Sequence, residues 1–233
     1  MKYLVIVPAF NEEATIGPVL DGIKKNIPFA DILVVNDGST DATEIRVMEK
    51  GVPSIHHPFN LGYGAALQTG FRLAEMKGYD FVITIDADGQ HIPSSVNNLI
   101  QTMKDLDADI VIGSRFLEHS YNIGFLKKIG IMLFSFIGEI YTGMKITDPT
   151  SGFQLLKRNA FTYLAREDNY PLDYPDVNII MALHKMKFKV VESPVEMIEN
   201  TRGKSMHSGL RPLFYVFIMS LAILMVWARR KGA

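Results

Sequence analysis

Short runs rich in valine and isoleucine recur along the chain, each closed by a polar cluster and followed by a longer amphipathic stretch. That alternation restricts the fold more than any other feature. A run with no polar face must be buried on both sides, and parallel strands joined by crossover helices achieve this. Strands are expected near Tyr3–Val7, Ile32–Val35, Phe81–Ile85, Ile110–Ile112 and Lys189–Ser193. Glu12 to Lys25 places Ile16, Val19, Leu20 and Ile23 at helical spacing, with Asn11 as the expected cap. Leu61 to Met76 and Pro93 to Leu106 follow the same pattern, the latter with proline in its first turn. The predicted class is α/β with a mainly parallel sheet, and 233 residues suit one such domain with attachments.

Composition removes several kinds of chemistry. Lys and Arg number 24 against 25 Asp and Glu, a formal net charge of −1 that gives no general attraction for nucleic acid. The chain has no cysteine, which excludes disulfides, thiolate nucleophiles and cysteine-held zinc, and fits a cytosolic protein. "MKYLVIVPAFNEE" reaches asparagine and two glutamates too soon for a secretory signal and reads as a first buried strand.

Two segments are more apolar than this fold requires. From Phe125 to Ile140 a broad stripe includes Ile129, Met132, Leu133, Phe136 and Ile137, widened by Leu126, Ile131 and Phe134. Either the helix is buried or it lies on a membrane, with Lys127 and Lys128 at the headgroups. Leu213 to Ala228 is sixteen residues without a charge, preceded by Pro212 and followed by Arg229, Arg230 and Lys231. As a helix it spans about 24 Å, short of the roughly 30 Å hydrocarbon core. It suits shallow insertion, with the basic residues at anionic headgroups, or packing against its own domain or a partner subunit.

The polar clusters sit where the predicted strands end: "PAFNEE", "NDGSTDAT", "DADGQH" and "GSRF". In open α/β sheets ligands bind beyond the carboxyl ends of the strands, so these clusters outline one rim. In an extended chain Asp86 and Asp88 would point to the same side, roughly 6.5–7 Å apart. Two such anions repel unless a cation sits between them. With oxygen ligands alone, Gln90 adding a further one, the site suits Mg²⁺ or Mn²⁺ completed by substrate phosphates. The alternative is an Asp-Gly turn with solvated side chains. Asp37 opens a turn whose Ser39 or Asp41 can cap the next helix, and "NLGYGAA" is a glycine-rich helix entry whose N–H groups could face an anion. Arg115 can hold a diphosphate bidentately. His91 and His119, near loops, read as solvated or structural.

In this order "VPAFNEE", "VVNDGSTDAT", "NLGYGAALQTG", "DADGQH", "GSRF", "DPTSGFQ" and "VESPVEM" resemble the family 2 glycosyltransferases of the type A fold, particularly the polyprenyl-phosphate sugar synthases. The resemblance implies a Rossmann-like nucleotide-sugar-binding sheet. It implies that Pro8, Phe10, Glu12 and Asp37 hold the base and ribose of a UDP- or GDP-sugar. Asp86, the Ala87 backbone and Asp88 would manage diphosphate and metal with Gln90, and Arg115 would approach the diphosphate or the acceptor phosphate. The implied reaction is inverting transfer to polyprenyl phosphate at the cytoplasmic membrane face, by a catalytic domain over residues 1–207 and a membrane-associating helix over 208–233. A membrane partner subunit or a homo-oligomer is compatible with this.

A phosphate acceptor is already a nucleophile and needs no base. Transfer to a saccharide hydroxyl would need one, for which Asp173 or Asp176 is placed, unless both only cap the following helix. A non-catalytic nucleotide-sugar-binding subunit is the remaining alternative. The chain departs from the family at Gln154, where relatives commonly carry arginine, and in "NTRGKS", where Arg202 is displaced and Arg202 or Lys204 is left to grip phosphate. Ile92, where an aspartate is frequent, alters only local capping.

Overall fold

The computed structural model describes residues 1–117, 125–166, 170–171 and 177–198, apart from the side chains of 125–131 and 133. β1 (Tyr3–Ala9), β2 (Ala30–Asn36), β3 (Ser54–His56), β4 (Phe81–Thr84), β5 (Ile110–Ser114), β6 (Gln154–Lys157) and β7 (Val190–Pro194) form one seven-stranded sheet in the order β3-β2-β1-β4-β6-β5-β7. All neighbours are parallel except β6, which runs antiparallel to β4 and β5. The helices are α1 (Ile16–Asn26), α2 (Thr43–Glu49), α3 (Tyr63–Met76), α4 (Val96–Leu106), α5 (Phe125–Thr142), α6 (Arg158–Leu164) and α7 (Val177–Lys185).

Period-two alternation divides the strand residues between two apolar layers. Leu4 and Ile6 of β1, with Leu33, Val35 and Val82, pack against Phe71 of α3, Phe161 of α6 and Ile180 of α7. Val5 and Val7, with Val34 and Ile83, pack against Leu20 and Ile23 of α1, Val47 of α2 and Leu99 of α4. Each such side chain contributes about 1.5–3 kcal/mol by leaving water, which fixes the strand register. The chain runs outward from β1 through β2 to β3, then returns to the other side of β1 as β4. The carboxyl ends of β1 and β4 therefore flank the switch point where such sheets bind ligands. Because β6 is antiparallel, the residues entering it, 151–153, arrive at that same edge.

Two expectations change. Asn11 does not cap a helix: it has φ 57, its side chain accepts from the Thr40 N–H, and α1 begins only at Ile16. Residues 13–15 instead form a turn, with the Thr15 and Ile16 N–H groups donating back to the Glu12 carbonyl. β6 was not expected, because in "QLLK" only Leu155 and Leu156 are buried, too short a run to stand out.

The 125–140 stripe is buried on one side and exposed on another. Phe134 is buried against Val177 and Met181 of α7, while Met132, Phe136 and Ile140, four residues apart, are 61%, 60% and 70% exposed. Among the described residues no helix is long and apolar enough to cross a membrane. The 208–233 segment lies outside the described residues.

Candidate active site

Beyond β4, Asp86 and Asp88 stand at the switch point, and their surroundings differ. The Asp86 carboxylate is 28% exposed and accepts a hydrogen bond from the Tyr63 hydroxyl on Oδ1 at 2.8 Å. Its backbone N–H donates to Nδ1 of His91 at 3.1 Å, which makes Nδ1 the unprotonated ring nitrogen. Asp88 folds back on its own loop, accepting from Gln90 N on Oδ1 at 2.9 Å and from Gln90 Nε2 on Oδ2 at 2.6 Å. The turn reading and the metal reading of "DADGQH" are thus compatible: the turn is what orients Asp88. Gln90 presents its amide nitrogen to Asp88 and so buttresses that carboxylate.

Burial raises the pKa of Asp86, opposed by the Tyr63 bond and by the Arg115 charge. Asp88 is raised by burial and then by the Asp86 charge, and Glu12 by burial with Asp88 and Asp86 adding to it. Three carboxylates that burial makes reluctant to ionise, Asp88 and Glu12 further raised by neighbouring carboxylates, are surroundings that a divalent cation relieves. No group of three or more His, Asp or Glu among the described residues is placed to hold an ion unaided. Asp86 and Asp88 therefore fit a cation whose shell is completed by phosphate oxygens.

The strand ends around them are tightly braced. Pro8 is buried in β1 opposite Val35, Phe10 is 44% exposed beside it, and the Glu12 carboxylate accepts from the Thr15 hydroxyl at 2.7 Å. Asp37, only 3% exposed, accepts from Leu61 N and His57 Nδ1 on Oδ1 and from Gly62 N on Oδ2. Nε2 of His57 reaches the Thr69 hydroxyl of α3 at 3.0 Å. Asp37 thereby fastens the 61–62 loop to β2. Ala87 is buried at 3% exposure.

Arg115 is 8% exposed and bidentate on Asp148, with Nε and Nη2 each 2.6 Å from a carboxylate oxygen; Nη2 also donates to the Thr150 hydroxyl. Its fork is held by protein, and what reaches Asp86 is its positive field. Asp148 is placed in turn by Glu192 of β7, which accepts from the backbone N–H groups of Thr147 and Asp148 and from the Thr147 hydroxyl. Burial raises the Glu192 pKa.

The structure therefore brings Pro8, Phe10, Glu12, Asp37, Asp86, Ala87, Asp88, Gln90 and Arg115 to one edge of the sheet. Asp173, Asp176, Arg202, Lys204 and His119 lie outside the described residues. Sequence reasoning missed Tyr63, Asp148 and Glu192, which lie inside quoted motifs, and His57, which lies in none; a tyrosine at a helix entry and a carboxylate within "DPTSGFQ" carry no spacing signal of their own. His91 is structural as expected but not solvated: it is 6% exposed, stacked 5.1 Å from the Phe153 ring, and burial lowers its pKa to about 4.

A family model of glycosyl transferase family 2 matches residues 4–164. An uncharacterized protein of Methanocaldococcus jannaschii is 33% identical over 94% of this chain and 93% of its own length. An undecaprenyl-phosphate mannosyltransferase of Micrococcus luteus is 28% identical over 90% of this chain and 88% of its own. Glucosyl-3-phosphoglycerate synthase of Mycobacterium tuberculosis, solved with Mn²⁺, uridine diphosphate and glucosyl-3-phosphoglycerate, shares the fold with a TM-score of 0.66 at 22% identity, over 99% of this chain and 80% of that one.

Proposed function

Because the chain belongs to glycosyl transferase family 2, we propose that it moves a sugar from a UDP- or GDP-sugar to polyprenyl phosphate, inverting the anomeric centre, at the cytoplasmic face of the membrane. The observation that carries the reading is the Asp86 and Asp88 pair at the switch point, whose burial and repulsion call for a cation. A relative of nearly the same length is named for transfer to undecaprenyl phosphate, and a protein of the same fold was solved with Mn²⁺ and uridine diphosphate.

Asp86 and Asp88 would hold Mg²⁺ or Mn²⁺, which when bound neutralises the negative charge growing on the departing nucleoside diphosphate. Gln90 keeps Asp88 aimed, and Arg115, locked on Asp148, adds a fixed positive field that needs no reorganisation during the reaction. Phe10 and Glu12 stand at the mouth where a nucleoside would lie. The acceptor phosphate carries about −1.5 to −2 charges, as other phosphomonoesters do, and so attacks without a protein base. The exposed face of Met132, Phe136 and Ile140, together with the apolar 208–233 segment, supports a domain resting against lipid.

The test supplies labelled UDP- and GDP-sugars, Mn²⁺ or Mg²⁺, and liposomes with or without polyprenyl phosphate, and scores label in the lipid fraction. Label is expected only with polyprenyl phosphate, and Asp88→Asn should abolish it. Full turnover in Asp88→Asn would sink the metal assignment, and label on a saccharide instead of the lipid would sink the acceptor.

A further inference from the structure

The Tyr63 hydroxyl donates to Asp86 Oδ1 at 2.8 Å, a bond that the mechanism above leaves unused. Tyr63 is the first residue of α3, and its backbone is set from behind. Gly62 has φ 103 and ψ 155, a conformation that side chains rarely adopt, and its N–H and that of Leu61 are both held by Asp37. Asp37 is tied through His57 to Thr69 on the same helix. The phenol is thus built onto the nucleoside side of the site while its hydroxyl rests on the carboxylate of the metal side.

The pair is covered by backbone. A Cβ added at Gly152 would lie 2.5 Å from both Asp86 Oδ2 and the Tyr63 hydroxyl. Gly152 is fixed there, its carbonyl accepting from the Thr84 hydroxyl at 2.6 Å. Tyr63 and Asp86 therefore meet in a slot with no room for a side chain above them. The hydroxyl occupies a lone pair of Asp86 Oδ1, on a carboxylate that would hold the cation.

Resting on the donor reading, we propose that Tyr63 is a donor-contacting residue that exchanges partners: its hydroxyl holds Asp86 in the empty site and donates to the donor's diphosphate once a cation takes Asp86. The exchange has a thermodynamic consequence. A cation binding alone displaces the hydroxyl from Asp86, whereas a cation arriving with a diphosphate brings a charged acceptor for it. Nucleoside diphosphate and metal then bind more tightly together than apart, through a hydrogen bond to a charged acceptor.

The experiment measures Mn²⁺ uptake from the electron paramagnetic resonance of the free ion, using the full chain with no nucleotide, with UDP and with GDP. In the wild type one of the nucleotides should tighten Mn²⁺ binding. In Tyr63→Phe that tightening should fall by about tenfold, the scale of one hydrogen bond to a charged group. Mn²⁺ binding without nucleotide should stay equal or improve, and the melting temperature should match. If the nucleotide effect is the same in Tyr63→Phe, or if Mn²⁺ binding weakens equally with and without nucleotide, the partner exchange is refuted and the donor reading stands. A wild type that takes up no Mn²⁺ with either nucleotide overturns both.

Discussion

Replacing Asp148 by asparagine keeps the shape of a buried side chain and removes its charge. Asp148 is 0% exposed and Arg115 8%, and the two share both charge-assisted bonds of a bidentate pair at 2.6 Å, with the Arg115 N–H as a third donor at 3.2 Å. Arg115 would keep its charge in the same buried position with only a neutral amide opposite. Breaking one side of a buried pair costs about 3–5 kcal/mol. That is a large part of the roughly 5–15 kcal/mol that holds an ordinary domain together, and in a domain of this size it lowers the melting temperature by about 10 °C. Equilibrium urea unfolding should show an earlier midpoint with the same slope. Arg115→Met combined with Asp148→Leu should be more stable than Asp148→Asn alone, because no charge is then left buried. A loss under about 1 kcal/mol for Asp148→Asn, the scale of an exposed pair, or a double variant less stable than the single, would refute the account of this pair.

Gly152→Ala places a methyl group 2.5 Å from Asp86 Oδ2 and from the Tyr63 hydroxyl; Mn²⁺ binding should weaken at least tenfold, as the electron paramagnetic resonance assay can read. Phe136→Ser alters a side chain that is 60% exposed, so the melting temperature should hold while co-sedimentation with liposomes falls; unchanged sedimentation counts against lipid contact there. Burial and Asp31 raise the Tyr79 pKa from 10.0 to about 12. The folded state thus keeps a proton that the unfolded state loses first, and the stability this contributes is complete below pH 10 and lost as pH rises toward about 12. Tyr79→Phe should therefore lack one tyrosine ionisation near pH 12 in a near-ultraviolet titration and lose less stability than the wild type over that interval.

Much of the scaffold was legible because burial on both faces leaves a compositional mark. β1, β2, β4 and β5 carry continuous Val and Ile runs, and Asp86, Asp88 and Arg115 follow directly from where those runs end. β3 and β6 were not legible, since each is short and β6 also pairs with β4, a strand distant in sequence. Asn11 misled because its residue type suits a cap, while its actual partners, Ser39 and Thr40, lie in the next βα turn.

The site divides along the same line. Sequence by itself determined which groups stand at the rim, since a polar residue after a buried strand has one place to go. It also determined that two carboxylates share the end of β4. Only the tertiary structure decided what those groups do with one another. Arg115 is committed to Asp148, Asp37 grips the 61–62 loop, and Tyr63 rests on Asp86. Each of these bonds joins segments 23 or more residues apart. A hydrogen bond has no periodicity to leave in a sequence, and its partner is chosen by the packing of the strands and helices that carry it.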